Sequence, residues 1–206
     1  MTRDNLDVFK DYFPAQAVPY CFQLWHTYKF HFKIKRGRST KLGDYTYHYI
    51  HQSHTITVNA DLNPYSFMLT YLHEVAHMSV RLKYGKKRLS PHGAEWKEEF
   101  KILAKPMLQP EILPGNVLAA FMRYLANPKA TSCSDMHLQH ILHQYDIGSS
   151  RLIPLQEVHI GNTFILHNRK FVKHDIKRTR ILCTEVGGGR QFLISKSAMV
   201  ALDKVA

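Results

Sequence analysis

The stretch that decides the fold of this 206-residue chain is Leu72-His73-Glu74-Val75-Ala76-His77-Met78. In a helix, His73 and His77 lie one turn apart on the same face, so their imidazoles can reach one metal ion. This H-E-x-x-H pattern is typical of zinc hydrolases, whose metal usually takes three protein ligands and leaves a fourth position to water. Glu74 is the candidate general base, because a carboxylate beside that water can take its proton and pass it to a leaving amine.

Two histidines leave such a site one ligand short, and the segment Pro91-His92-Gly93-Ala94-Glu95-Trp96 offers the third. His92 is the first candidate. Glu95 and Glu98 are its rivals, because carboxylates also bind zinc. The spacing of apolar residues predicts a helix over residues 90–105, in which Trp96 anchors His92 from the core.

The flanks of the H-E-x-x-H stretch also fit a helix. Asn63 suits the N-cap, Pro64 suits the first helical position, and Gly85 suits the C-terminal end. Around this helix, the apolar side chains fall on one arc, roughly opposite His73 and His77. They are Phe67, Tyr71, Val75, Met78 and Leu82. This arc is predicted to face the core, so that the histidines are turned another way.

Together these motifs carry a family resemblance. His73-Glu74-Val75-Ala76-His77 followed by His92-Gly93-Ala94-Glu95-Trp96 resembles the SprT-like (Spartan-type) metalloprotease domain, whose pattern is H-E-x-x-H and then H-G-x-x-aromatic. Upstream, Lys41-Leu42-Gly43-Asp44-Tyr45 and Ile56-Thr57-Val58-Asn59 resemble the strand segment that precedes the active-site helix of the family. The resemblance covers roughly residues 15–105.

This resemblance implies a zincin-like α+β metalloprotease domain that binds Zn²⁺. Carried over by position, it makes His73, His77 and His92 the zinc ligands and Glu74 the general base. It also implies that the protein cleaves DNA-associated proteins in the repair of DNA–protein crosslinks. No tyrosine, arginine or histidine is marked by its spacing as the group that stabilises the oxyanion.

The cysteines depart from the family pattern. Several family members follow this domain with a zinc ribbon of four cysteines, whereas this chain has only Cys21, Cys133 and Cys183, far apart. A second zinc site of that kind is not expected. Scattered cysteines also suggest a reducing compartment.

Because the sequence contains neither an apolar run long enough to span a membrane nor a signal-peptide core, we expect a cytoplasmic protein, nucleoid-associated if bacterial, with no membrane partner.

Charge indicates a polyanionic partner. The formal net charge is +12 and the pI is about 9.6, which favours DNA as a partner besides the protein substrates. Two basic segments are candidate phosphate contacts, although each can also be an ordinary solvated surface. They comprise Lys86, Lys87 and Arg88 beside the metal motif, and Arg169, Lys170, Lys173, Lys177, Arg178 and Arg180 near the C-terminus. The sequence does not predict the oligomeric state.

Pattern changes along the chain predict its organisation. Residues 1–127 are expected to form the metalloprotease domain, in which alternating segments between residues 30 and 59 form a small antiparallel sheet before the zinc helix. Residues 128–152 are expected to be a helical connector. Residues 153–206 lack a helical period, and Lys and Arg outnumber Asp and Glu there by more than two to one. This last segment is expected to be a small basic β-module of about four strands.

The favoured hypothesis is a zinc metalloprotease that acts on DNA-associated proteins. The alternative is a non-catalytic, zinc-stabilised DNA-binding or scaffolding protein, since binding and catalytic sites use the same ligands. A third possibility is a zinc peptidase without a nucleic-acid role. The presence of Glu74 argues against a purely structural site, which needs no general base and is usually closed by a fourth protein ligand.

Overall fold

The computed structural model describes residues 5–38, 40–85, 87–128, 135–146, 152–167 and 169–202. Its elements are mixed, so the α+β prediction is confirmed. Two compact units, residues 1–145 and 146–206, each have their own hydrophobic core. No helix in the described ranges is long and apolar enough to cross a membrane. Cys21 and Cys183 are buried free thiols, whereas Cys133 lies outside the described residues.

The first unit combines helices with a three-stranded sheet. Its helices are α1 (Asn5–Tyr12), α2 (Val18–Tyr28), α3 (Pro64–Tyr84), α4 (Ala94–Ala104), α5 (Gly115–Ala126) and α6 (Met136–His143). Its strands are β1 (His31–Lys35), β2 (Gly43–His48) and β3 (Ser53–Asn59). Leu138 and Leu142 of α6 are buried in the core of this unit. The division of the chain therefore falls between residues 145 and 146, and α6 belongs to the first unit.

The sheet is mixed, which corrects the prediction of an antiparallel sheet. β2 and β3 form an antiparallel hairpin with Tyr45 opposite Ile56, but β1 pairs in parallel with the other side of β3. The chain between β1 and β2 is held at the end of β3, where the Asn59 side-chain amide donates to the carbonyls of Arg38 and Lys41. The alternation of side chains indicates strands but does not reveal which strands pair.

Helix α3 runs through the first unit as its central element. The Asn63 side chain accepts hydrogen bonds from the amides of Tyr65 and Ser66, which confirms the predicted N-cap. Gly85 ends the helix with φ +63°, a left-handed conformation that favours glycine. The predicted apolar arc is buried except for Leu82, which is 51% exposed. Leu82 lies near the C-terminal end of α3, beyond the part that the core covers.

The second unit is an antiparallel sheet of six strands in the described residues, two more than predicted. The strands are β4 (Leu152–Pro154), β5 (Thr163–Leu166), β6 (Arg169–Ile176), β7 (Arg180–Glu185), β8 (Gln191–Ser195) and β9 (Met199–Leu202), in the order β4-β9-β5-β6-β7-β8. Short β4 and β9 pair with each other, and β9 also pairs with β5. Phe164, Phe171 and Ile181 are buried in the core.

Candidate metal centre

Three imidazoles converge in the first unit. Nε2 of His77 lies 3.1 Å from Nε2 of His73, and Nε2 of His92 lies 3.2 Å from the same atom. One ring nitrogen of each histidine lies within 4.8 Å of the other two. Histidine, cysteine, aspartate and glutamate side chains are possible metal ligands. Among the described residues, the group arranged to hold a metal ion consists of these three histidines. The rivals Glu95 and Glu98 are not members of it.

Two helices and a turn position the three rings. His73 and His77 come from successive turns of α3, and His92 precedes α4 in the chain. Trp96 of α4 is 1% exposed, and its ring centroid lies 4.6 Å from that of His73 and 4.8 Å from that of His92. Its Nε1 also donates to the His73 carbonyl at 3.4 Å. The prediction that Trp96 anchors His92 from the core is confirmed.

A buried carboxylate ties the two helices together. Ser79 Oγ of α3 donates to Glu99 Oε2 of α4 at 2.6 Å, and Lys83 Nζ donates to Glu99 Oε1 at 2.6 Å. Lys83 is half exposed, so its ion pair adds little stability by itself. The contact matters through geometry, because α3 carries two of the imidazoles and α4 directly follows the third. Sequence reasoning assigned no role to Ser79 and did not single out Glu99 among the glutamates of α4.

The spacing of the nitrogens fits a metal ligand set. Two nitrogens bound at about 2.05 Å to one tetrahedral zinc ion lie about 3.3 Å apart, close to the separations of the His73 nitrogen from the other two. Burial, together with the His77 and His92 imidazoles, lowers the pKa of His73 to about 3. Burial and then His92 lower the pKa of His77 to about 4, and burial lowers the pKa of His92. Neutral imidazoles with free lone pairs at neutral pH are the form that binds metals.

Glu74 lies on α3 beside His73 and is 7% exposed. Burial raises its pKa to about 8, and the Asp44 carboxylate contributes in the same direction. Lys41, Arg38 and a hydrogen bond from the Tyr45 backbone amide act in the opposite direction. A cation in the histidine cluster would lower this pKa, because a nearby positive charge favours the carboxylate form.

This shift predicts how the stability of the metal-free protein depends on pH. Glu74 titrates near 4.5 when unfolded and near 8 when folded, so above pH 4.5 the folded state binds more protons and stability falls as pH rises. Between pH 6.5 and 8, the wild type should lose about 1.6 kcal/mol relative to Glu74→Gln. Urea unfolding of both proteins in the presence of a chelator measures the difference. If the difference in unfolding free energy between the two proteins stays constant across this pH range, the raised pKa of Glu74 is contradicted.

At Gly43, strand β2 approaches the face of α3 that carries Glu74. A Cβ atom at this position would lie 2.6 Å from Cγ2 of Thr70 and 2.7 Å from Oε1 of Glu74. Both distances are below van der Waals contact, so only glycine lets the strand lie this close to the carboxylate. Sequence reasoning quoted Gly43 and Tyr45 for their family resemblance but gave them no role. The feature that could have pointed to a role for Gly43 and Tyr45 is the position of the Lys41–Tyr45 segment at the start of β2.

Gly43→Ala is expected to displace either β2 or the Glu74 side chain. We expect a stability loss of about 1–3 kcal/mol from overpacking and, if Glu74 is a general base, a fall in activity of about tenfold to a hundredfold. Gly115→Ala is the matched control, because nothing lies within 4 Å of a Cβ added there. Thermal unfolding and peptide cleavage measure the two effects. If Gly43→Ala and Gly115→Ala had the same stability and activity, the result would contradict the close approach of β2 to Glu74.

The predicted phosphate contacts have different environments. Lys87 and Arg88 are exposed after α3, while Lys86 lies outside the described residues. In the second unit the side chains of Lys170, Lys177, Arg178 and Arg180 are exposed. Arg169 donates two hydrogen bonds of 2.7 Å to Glu185, and its guanidinium lies over Phe171 and Phe192. Its charge is therefore already offset by a carboxylate, so it is a weaker candidate than the other exposed residues.

Lys173 is not a phosphate contact, which corrects the sequence prediction. Its side chain is 1% exposed. The Nζ atom donates hydrogen bonds to the carbonyls of Leu155, Gln156 and Val158. A buried ammonium needs such acceptors, because transfer from water without them is costly. Lys173 thus fastens the turn at residues 155–158 to strand β6, and its place in a basic run concealed this role.

Lys173→Met is expected to destabilise the second unit by about 3–5 kcal/mol, because three buried carbonyls lose a charged donor. Lys177→Met, at an exposed position four residues away, is the control and should change stability by less than about 0.5 kcal/mol. Hydrogen exchange of β5 to β8 in the full chain measures the local effect. If the two variants exchange at the same rate, the three hydrogen bonds do not stabilise the unit.

Comparisons of the chain with protein-family models, with curated proteins and with solved structures gave no match.

Proposed function

We propose that this protein is a zinc-dependent metalloprotease that cleaves DNA-associated proteins, as its resemblance to the SprT-like family implies. One observation carries the proposal: three imidazoles with lowered pKa values converge on one point, and the helix that holds two of them places the buried Glu74 next to His73. A site built only for structure has no need of such a carboxylate. Zinc is the metal that best suits three imidazole ligands with an open fourth position.

Each residue of the proposed active site has its own role in peptide hydrolysis. His73, His77 and His92 would hold Zn²⁺, which supplies polarisation of a carbonyl and acidification of water when bound. Glu74 accepts a proton from the attacking water and delivers it to the nitrogen of the scissile peptide. Its burial keeps the carboxylate a strong enough base for this task, because burial favours the protonated form. Trp96 fixes the rings of His73 and His92 and keeps water from their buried sides.

Strand β2 is suited to hold the substrate. Among the described residues it is an edge strand of the sheet, and its Gly43 lies so close to Glu74 that an added Cβ would overlap the carboxylate. A polypeptide added in extended form to the free edge of β2 would therefore run close to the general base. Main-chain hydrogen bonds of this kind select little among side chains. Weak sequence preference suits an enzyme that acts on varied DNA-bound proteins.

DNA binding is supported by charge. The chain carries a formal charge of +12. Lys87 and Arg88 are exposed in the segment between α3 and His92. Because this segment is close in sequence to both halves of the metal site, a phosphate backbone bound to it would lie near the metal site. Lys170, Lys177, Arg178 and Arg180 give the second unit its own exposed basic groups. Their composition is typical of surfaces that bind phosphates.

The proposal is tested by cleavage of two substrates, a linker histone bound to DNA and casein, which does not bind DNA. Zinc-loaded and chelator-treated protein are compared with and without DNA, at several salt concentrations. We expect zinc-dependent cleavage of the histone that DNA stimulates and that salt suppresses. Lys87→Glu/Arg88→Glu should reduce the stimulation, whereas Lys105→Glu, an exposed lysine elsewhere in the first unit, should leave it intact.

The outcomes separate the hypotheses. Zinc-dependent cleavage of both substrates without any effect of DNA would leave a peptidase and remove the nucleic-acid role. Tight DNA binding and bound zinc without cleavage of either substrate would instead establish a zinc-stabilised DNA-binding protein. Neither result is compatible with the full proposal.

A further inference from the structure

A groove of about 500 Å³ lies in the first unit between α1 and β1. One face of α1 and most of β1 line it. The lining residues of α1 are Asn5, Val8, Phe9 and Tyr12, and those of β1 are His31 to Ile34. A second hollow of about 250 Å³ shares Trp25 and Phe30 with the groove and adds His26 and Lys29. The two hollows meet at these shared residues and are together called the trough.

The floor of this trough is an aromatic cluster. The ring of Phe9 lies 6.0 Å from that of Trp25 and 5.4 Å from that of Phe32, measured between centroids. Trp25 Nε1 donates to the Phe30 carbonyl at 3.0 Å, which holds the indole against the loop before β1. Phe9 is 2% exposed and belongs to the core. These contacts give the trough a preformed apolar floor, so a ligand need not order it on binding.

The wall formed by β1 has unpaired main-chain groups. In the described ranges, β1 pairs with β3 on one side and with no strand on the other. The Lys35 carbonyl accepts a hydrogen bond from the Ala60 amide, so it points towards the β3 side. In a parallel ladder, alternate residues direct both their amide and their carbonyl to the same side. The amides and carbonyls of Phe32 and Ile34 therefore point outward, away from β3.

The side chains around this edge alternate in character. Phe32 and Ile34 are half-buried and pack against the core, whereas His31, Lys33 and Lys35 are exposed. The described residues that line the trough include no acidic side chain. The acidic residues of α1, Asp7 and Asp11, lie on the side of that helix opposite the groove. A ligand here thus meets an apolar face, a face with the positive charges of Lys33 and Lys35, and a row of amides and carbonyls.

We infer that this trough binds an extended peptide segment with alternating apolar and acidic residues, which adds to β1 as a further strand. Its apolar side chains contact Val8 and Trp25 above the buried Phe9, and its carboxylates lie on the side of β1 that carries His31, Lys33 and Lys35. Donors and acceptors in the peptide backbone match the alternating groups of Phe32 and Ile34, as in other cases of strand addition. A nucleic-acid strand has a basic surface to bind here but offers no equivalent set of donors to the carbonyls.

This inference is independent of the proposed function. The trough lies along β1, while β2, which touches Glu74, forms the opposite edge of the same sheet. A peptide in the trough is held away from the β2 edge that is proposed to hold the substrate strand. The surface is therefore a docking site for a partner protein that presents such a segment, and it does not require a working metal centre.

The test uses a fluorescent peptide of about ten residues in which valine and glutamate alternate, long enough to cover an edge strand. Binding is measured by fluorescence anisotropy to the full chain carrying Glu74→Gln, so that the peptide is not consumed. Two variants in that background are compared, His31→Glu/Lys33→Glu and the control Lys105→Glu. We expect the first to weaken binding at least about tenfold, because the attraction of Lys33 is lost and two glutamates repel the carboxylates of the peptide. The control should stay within about twofold.

Hydrogen exchange identifies the mode of binding. The peptide should protect the amides of Phe32 and Ile34, while a peptide with lysine in place of glutamate should bind weakly and protect neither. Lys33→Ala, a milder change at an exposed site, should weaken binding about threefold and guards against misfolding of the double variant. Equal binding of the two peptides, absence of protection at both amides, or displacement by an oligonucleotide that protects them itself would each overturn the inference.

Discussion

Glu74→Gln is expected to lower peptide cleavage by about 10³-fold while the protein keeps its bound zinc. Glutamine has the size of glutamate and fits the same buried position beside Gly43 and the Tyr45 amide. It lacks the basic oxygen that takes the proton from water, and it is not one of the three converging ligands. The loss should therefore appear in kcat, because a proton-transfer step is removed and the substrate contacts remain.

The matched control is Glu98→Gln on α4, an exposed carboxylate outside the histidine cluster. It should retain full activity. Zinc content is measured in the same preparations by atomic emission, since a lower content would turn the experiment into a test of metal binding. Undiminished turnover by zinc-loaded Glu74→Gln would remove Glu74 from the mechanism.

His92→Ala is expected to weaken zinc binding by about 10³-fold, because one of three protein ligands is lost and two imidazoles remain. Zinc should then no longer raise the melting temperature, since a ligand stabilises a protein only to the extent that it binds the folded state. Competition with a chromophoric chelator measures the affinity, and scanning calorimetry measures the stabilisation.

Two further variants make this result specific. His51→Ala removes an exposed histidine from the hairpin between β2 and β3 and should leave zinc affinity unchanged. Glu95→Gln tests the carboxylate that sequence reasoning kept as a rival ligand, and it should also bind zinc as the wild type does. If His92→Ala retains full zinc while Glu95→Gln loses it, the ligand set is different from the one described here.

Local chemistry made part of this site predictable from the sequence. The bounds of α3 follow from Asn63, Pro64 and Gly85, because a cap and a terminating glycine act within a few residues. The convergence of His73 and His77 follows from one helical turn. His92 was a candidate because its neighbours matched a motif, and the anchoring role of Trp96 followed from the apolar spacing of α4.

Other features depend on contacts between distant segments and could not be read from local pattern. The alternation in β1 indicated a strand, but its parallel pairing with β3 is set by hydrogen bonds around Asn59. Lys173 and Lys177 lie in the same basic run of the sequence. Only the contacts of Lys173 with the turn at residues 155–158 distinguish the two lysines. The close approach of Gly43 to Glu74 arises from packing of β2 on α3, which the spacing of residues does not encode.

The most direct test of the central claim is X-ray absorption at the zinc edge of the zinc-loaded protein, together with the metal content. The account predicts one zinc per chain, bound by three imidazole nitrogens at about 2.0 Å and one oxygen from water. In His92→Ala, one imidazole contribution should disappear. A site closed by four protein ligands, a contribution from sulfur, or the absence of stoichiometric zinc would contradict an open metal centre built from His73, His77 and His92.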